Sequence, residues 1–187
     1  VSELQTSRVR NMRCMFQNCD VAELDVSGFD TSNVEDMGSM FNQCSNLTAL
    51  DLSSFDTSKV VSMQDMFCLC SSLTRLDISS FQTSNVRDMS FMFSYVELTQ
   101  LDLSHFDTAQ VANMAYMFSN SDKLISVDLS SFNTSKVDSM AGMFEGCKQL
   151  EMIVGLEDLD TSNVRSYDSF MDEGTLVDGA SWEKLFQ

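Results

Sequence analysis

Leu50 to Phe67 reads LDLSSFDTSKVVSMQDMF, and most of the chain is a set of variations on it. Its DTS-x-V core stands at Asp30–Val34, Asp56–Val60 and Asp160–Val164, and altered versions end at Val86, Val111 and Val137. With Val9 ahead of them, these valines are 25, 26, 26, 25, 26 and 27 residues apart. A fixed period in this range predicts a solenoid, in which one unit cannot bury its apolar face alone and must stack on the next. The fold class expected is therefore a stack of about six coils of this period.

Aligned on the valines, the units share the template V-x-x-M-x-x-M-F-x-x-C-x-x-L-x-x-L-D-L-S-x-F-D-T-S-x. The L-D-L alternation has period two, which predicts a short strand with leucines inward and aspartates outward. V-x-x-M-x-x-M-F carries apolar residues every three positions, which predicts a tight coil entering a helical or 3₁₀ turn. D-T-S-N is turn chemistry, because these side chains bond neighbouring backbone amides. Two units are a residue short, between Cys19 and Leu24 and between Val96 and Leu101, and those slips belong in loops. The pattern fails after Met171. Residues 1–171 are thus read as the repeat domain, and 172–187, with the single tryptophan Trp182, as a C-terminal cap over an otherwise open core.

Charge removes several partner classes. The chain has 28 acidic and 11 basic residues in 187, a formal charge of −17. Such a field repels phosphate backbones and anionic lipid surfaces, leaving basic partners and divalent cations. No apolar run approaches a membrane span, and no signal-peptide pattern is present. Leu4-Gln5-Thr6-Ser7-Arg8-Val9 mirrors Phe29-Asp30-Thr31-Ser32-Asn33-Val34, so the first coil reads as cut and any address signal as lying outside this sequence.

The repeated L-x-x-L-D-L-S-x-F-D-T-S-x-V-x-x-M-x-x-M-F-x-x-C run resembles that of the BspA-type leucine-rich-repeat proteins, surface proteins of bacteria and some parasitic protists. The likeness spans about residues 4 to 171. It implies a right-handed leucine-rich-repeat coil, displayed outside the cell or on its surface, serving adhesion to or recognition of host or neighbour-cell proteins. It implies no enzyme activity, no cofactor and no shared catalytic residues, and it names no partner.

The residues themselves say the same about catalysis. His105 is alone, no serine has a nucleophile-elbow context, and no glycine-rich phosphate loop occurs. Cys19, Cys44, Cys70 and Cys147 share one slot, filled elsewhere by Val96 and Ser121, which points to a small buried side chain. Neighbouring coils would hold Cys19, Cys44 and Cys70 within disulfide reach, so a bridge among them stays open, whereas no CxxC or His–Cys cluster supports zinc. Asp25, Asp51, Asp77, Asp102 and Asp128 form a column of carboxylates that either keeps a strand face wet or holds calcium. A second column, Asp30, Asp56, Asp107 and Asp160, belongs to the turns, and the threonine row from Thr6 to Thr161 is expected to bond backbone.

A partner meets the drifting positions of a repeat, since the constant ones build the scaffold. One such slot runs Cys14, Ser39, Asp65, Phe91, Tyr116, Gly142, and places Phe91 beside Tyr116 with Tyr95 nearby. Another precedes the strand and contains Arg75 and Gln100. These five residues, Phe91, Tyr95, Tyr116, Arg75 and Gln100, are the candidate partner-binding set, because exposed aromatics and arginines anchor interfaces disproportionately. Two function classes follow: a non-catalytic extracellular recognition module, or a structural spacer that associates with copies of itself.

Overall fold

The structure, a computed structural model, describes residues 4–173, 176–177 and 180–186. Successive repeats lie side by side and run parallel. Asn11, Asp36, Ser62, Asp88, Asn113, Ser139 and Ser166 pair in one unbroken row, each with the equivalent residue of the next repeat. A second row is made of short strands: β1 (Ala49–Asp51), β2 (Arg75–Asp77), β3 (Gln100–Leu101), β4 (Ser126–Asp128) and β5 (Met152–Val154). β1 pairs with β2, β3 with β4, and β4 with β5, all parallel, with Leu50 opposite Leu76 and Val127 opposite Ile153. The one-repeat register puts identical template letters on top of one another, which is why the sequence pattern has to be so strict.

Those columns are the core. Met37, Met63, Met89, Met114 and Met140 are fully buried, as are Met40, Met66, Met92, Met117 and Met143 behind them. Unbranched methionine adapts to the irregular space between coils better than a branched side chain would. Phe16, Phe41, Phe67, Phe93, Phe118 and Phe144 stack ring on ring with centroids 5.2 to 5.9 Å apart and planes within 13°. Offset stacking at these distances adds to the burial each ring already contributes.

Polar letters of the template stitch the coils. Thr57 Oγ1 accepts a hydrogen bond from the Gln82 amide at 2.7 Å and donates to the Gln82 carbonyl at 3.0 Å. Thr31, Thr83 and Thr108 make the same pair of bonds to Asp56, Asp107 and Asn133. Each buried hydroxyl is therefore a rung where the backbones alone do not meet, and the backbone bonding expected of this row runs between coils rather than within a turn. The cysteine slot is a donor as well as a small residue: Cys44, Cys70 and Cys147 Sγ–H donate to the carbonyls of Phe16, Phe41 and Phe118 at 3.0 to 3.1 Å, and Ser121 Oγ–H donates to Phe93 at 2.6 Å. That common hydrogen bond explains why serine replaces cysteine here. All six cysteines are free thiols.

The V-x-x-M-x-x-M-F segment is not the helical or 3₁₀ turn its spacing suggested. It is a run of single turns, such as Met40 N–H to Met37 O at 3.2 Å and Asn42 N–H to Ser39 O at 3.1 Å, alternating with bonds to the next coil. A left-handed residue ends each turn. Cys14, Ser39, Asp65, Phe91, Tyr116 and Gly142 have φ between 56° and 59°, and Asn18, Gln43, Leu69, Tyr95, Asn120 and Gly146 have φ between 56° and 73°. Apolar spacing alone cannot distinguish a helical turn from turns broken by left-handed residues, and only Asn and Gly in these slots carried the signal.

At the C-terminal end, β6 (Leu176–Val177) and β7 (Ala180–Ser181) pair antiparallel and lead into a 3₁₀ helix, Trp182–Phe186. Trp182 and Phe186 lie against Phe170, 5.6 and 5.2 Å between centroids, and Phe186 stacks on Tyr167 at 4.4 Å. Thr161 Oγ1–H donates to the Leu185 carbonyl at 2.7 Å, so this segment receives the bond that an eighth coil would otherwise accept.

Candidate functional site

Two surfaces present the drifting letters, and the expected partner-binding residues divide between them. Arg75 and Gln100 occupy one column on the strand face and are exposed on neighbouring coils. Phe91, Tyr116 and Tyr95 belong to the left-handed corners. Phe91 and Tyr116 stack at 4.8 Å with planes 14° apart, and both are half-buried. The Tyr116 ring also lies over Gly142, where an added Cβ would stand 2.2 Å from it. These two rings thus cover each other, and the Tyr116 ring covers the corner at Gly142. Tyr95, 47% exposed, stands free beside a cleft of about 230 Å³ that it shares with Glu97, Asp122 and Lys148.

On the strand face, Glu23, Asp25, Asp51 and Asp77 line a groove of about 530 Å³ in which Arg75 is the single basic residue. The aspartates are not free there. Asp25, Asp51, Asp77, Asp102 and Asp128 each accept the amide of the serine two residues on, at 2.9 to 3.0 Å. Both aspartate columns therefore hold turn amides, whereas only the second was expected to. Hydrogen bonds from the serine hydroxyl and then the serine amide hold Asp25, Asp51, Asp102 and Asp128 below the ordinary carboxylate range. One oxygen of each carboxylate is engaged with its own turn, and among the described residues no three His, Cys, Asp or Glu side chains converge to hold a metal.

The groove is bounded by a break that sequence reading missed. No backbone hydrogen bond crosses between β2 and β3, although the row on the other side of the coil continues unbroken from Ser62 to Asp88 to Asn113. The break falls where the unit between Val96 and Leu101 is one residue short, although the equally short unit between Cys19 and Leu24 keeps its parallel bridge from Glu23 to Ala49. His105 reaches across: its Nε2–H donates to the Ile78 carbonyl at 3.0 Å, and its ring stands edge-on to Phe106 at 5.1 Å. Facing a carbonyl, Nε2 carries the proton. In the equivalent slot Ser80 Oγ–H donates to Leu52 O at 3.0 Å, so both residues act as cross-coil donors.

Further along the same face the letters turn apolar. Met152 and Val154 of β5 are 47% and 43% exposed, with Val154 where other strands carry aspartate, and Ile125 lies beside them. The strand face thus runs from acidic at Asp25 to apolar at Val154.

The chain is a stack of parallel repeats whose constant letters bond one coil to the next and whose drifting letters form two surfaces. It belongs to the DUF285 family, described as Mycoplasma protein of unknown function, whose model matches residues 1–96 and again 69–181. No curated protein and no solved structure matches it.

Proposed function

We propose that the chain is a BspA-like leucine-rich-repeat module, a right-handed solenoid that acts outside the cell or on its surface and binds a protein partner without chemistry of its own. Family membership supports this, since DUF285 is associated with BspA-like surface repeat proteins. The single observation that carries it is the division of labour along the repeat. Template Thr, Cys, Asp and Ser side chains are engaged in scaffold hydrogen bonds, whereas Arg75, Gln100 and Tyr95 are exposed at drifting positions. The partner contacts the strand-face groove, and its contacting surface is basic, to complement Glu23, Asp25, Asp51 and Asp77. The test is surface plasmon resonance against candidate extracellular proteins. Glu23→Lys with Ala49→Lys, which sets repelling charges in the groove, is expected to weaken a genuine partner at least about tenfold with the thermal midpoint unchanged. Equal affinity of wild type and double variant for every protein that binds would remove this face from the proposal.

The exposed Ile125, Met152 and Val154 support a second reading, in which that end of the strand face contacts another copy and the module is a spacer in an assembly. Sedimentation separates the two: a monomer at all concentrations eliminates assembly.

A further inference from the structure

The cysteine slot brings two buried thiols together on neighbouring coils in the middle of the stack. The Phe41 carbonyl accepts the Cys44 amide at 3.2 Å and the Cys70 Sγ–H at 3.1 Å, so one oxygen holds both residues. Beside them the Gln43 amide donates to the Cys68 carbonyl at 2.8 Å, and the rings of Phe41 and Phe67 stack with planes 3° apart. The two coils are therefore in close register here. Hydrogen-bonded neighbours place equivalent backbone positions about 5 Å apart, inside the roughly 4.4–6.8 Å that a disulfide spans between Cα atoms. The two side chains also touch, and this contact lowers the Cys44 thiol and raises that of Cys70. Cys19, the third cysteine of the column, meets Cys44 through its backbone amide instead. The remaining cysteines have no thiol in the equivalent position of a neighbouring coil: Ser39 follows Cys14, Asn42 and Ser94 flank Cys68, and Ser121 precedes Cys147.

We propose that Cys44 and Cys70 are a disulfide-forming pair, oxidised by exchange with a low-molecular-weight disulfide. The Cys44 thiolate attacks one sulfur of that disulfide and releases the first small thiol. The Cys70 thiolate then attacks the Cys44 sulfur and releases the second, so two electrons and two protons leave with the two small thiols. The scaffold tolerates the loss of both S–H donors. The Phe16 carbonyl, which accepts Cys44 Sγ–H, keeps the Cys19 amide at 3.0 Å, and the Phe41 carbonyl keeps the Cys44 amide. No buried acceptor is stranded, and the new bond closes a loop one repeat long, which restricts the unfolded chain. It also ties together the coils whose Gln43, Ser45, Leu69 and Ser71 line a groove of about 560 Å³. Oxidation in the organism rests on the extracellular reading above, because thiols persist in a reducing compartment; the pairing itself does not.

The test refolds the chain from denaturant in reduced and oxidised glutathione, so that burial does not withhold the thiols. Free thiols are then alkylated and the chain is digested without reduction for mass spectrometry. The Cys44 and Cys70 peptides are expected to be linked, and the thermal midpoint to stand more than about 4 °C above that of the reduced chain. Cys70→Ser keeps a donor to Phe41 O, as Ser121 does for Phe93, and is expected to fold and to lose the oxidation-dependent rise. Cys147→Ser is expected to leave the link and the rise intact. A folded wild-type chain in which Cys44 and Cys70 are alkylated, carry glutathione or are paired with any other cysteine overturns the proposal.

Discussion

At the scale of single residues the fold depends on side chains that replace backbone. Thr57 is the clearest, since one hydroxyl satisfies both the amide and the carbonyl of Gln82 inside the stack. Thr57→Val keeps the shape and strands two buried groups, each costing about 1–3 kcal/mol. Denaturant unfolding is expected to show a loss of about 2–4 kcal/mol with the slope unchanged. The cysteine slot behaves in the same way but on one bond. Cys147→Ser retains a donor to Phe118 O, as Ser121 does natively for Phe93, and is expected to leave stability nearly unchanged. Cys147→Val removes the donor and is expected to cost about 1 kcal/mol by the same measurement. Equal losses in the two variants would mean that the slot selects for size alone. Burial pushes the Cys147 thiol up to about 12, so it stays protonated and able to donate throughout the neutral range.

At the scale of the turn and the strand, the corners are where the sequence was least legible. The period, the methionine, phenylalanine and leucine columns and the turn role of D-T-S-N follow from spacing and side-chain chemistry, and each lies where that reading put it. The left-handed corners were hidden because Phe91, Tyr116 and Leu69 are poor indicators of positive φ; the coil-to-coil bonds hold them there in spite of their side chains. For the same reason Phe91 and Tyr116 read as a free aromatic patch when their rings in fact lean along the stack, over Gly142. The β2–β3 break falls at a one-residue deletion, but the same deletion between Cys19 and Leu24 leaves the Glu23–Ala49 bridge intact, so the spacing alone did not announce it. This gives two opposed predictions. Leu69→Asn, at φ 62° on the surface, is expected to stabilise by about 0.5–1 kcal/mol through relief of backbone strain. Gly142→Ala, at φ 59°, is expected to destabilise and to change the near-ultraviolet dichroism of Tyr116, since the new methyl occupies the space of that ring.

At the scale of the whole molecule two electrostatic effects oppose each other as pH falls. The net charge of −17 is opposed by only three ion pairs among the described residues, Arg10–Glu35, Arg13–Asp36 and Lys148–Asp122, so self-repulsion destabilises the neutral-pH fold and weakens as carboxylates protonate. Asp65 acts in the same direction: burial raises its carboxyl, and ionising it costs the folded state. Against this stand the turn carboxylates Asp25, Asp30, Asp51, Asp56, Asp102, Asp128 and Asp160, all lowered by their serine partners. A carboxyl lowered in the fold stabilises above its unfolded value, about 3.9, and that contribution is lost as pH drops through the folded value. The thermal midpoint is therefore expected to rise from pH 7 to a maximum at about pH 4–5 and to fall steeply below it. Added salt should flatten the rise, which is long-range, more than the acid limb, which is set by contacts within single turns. Replacing Asp25, Asp51 and Asp128 together by Asn tests the assignment directly. Asn133 already accepts the Ser135 amide at 3.1 Å in an equivalent turn, so the triple variant keeps the acceptor and loses the titration. Its acid limb should be shallower than that of the wild type with the neutral midpoint equal or higher, and an unaltered limb would trace acid unfolding to other carboxylates.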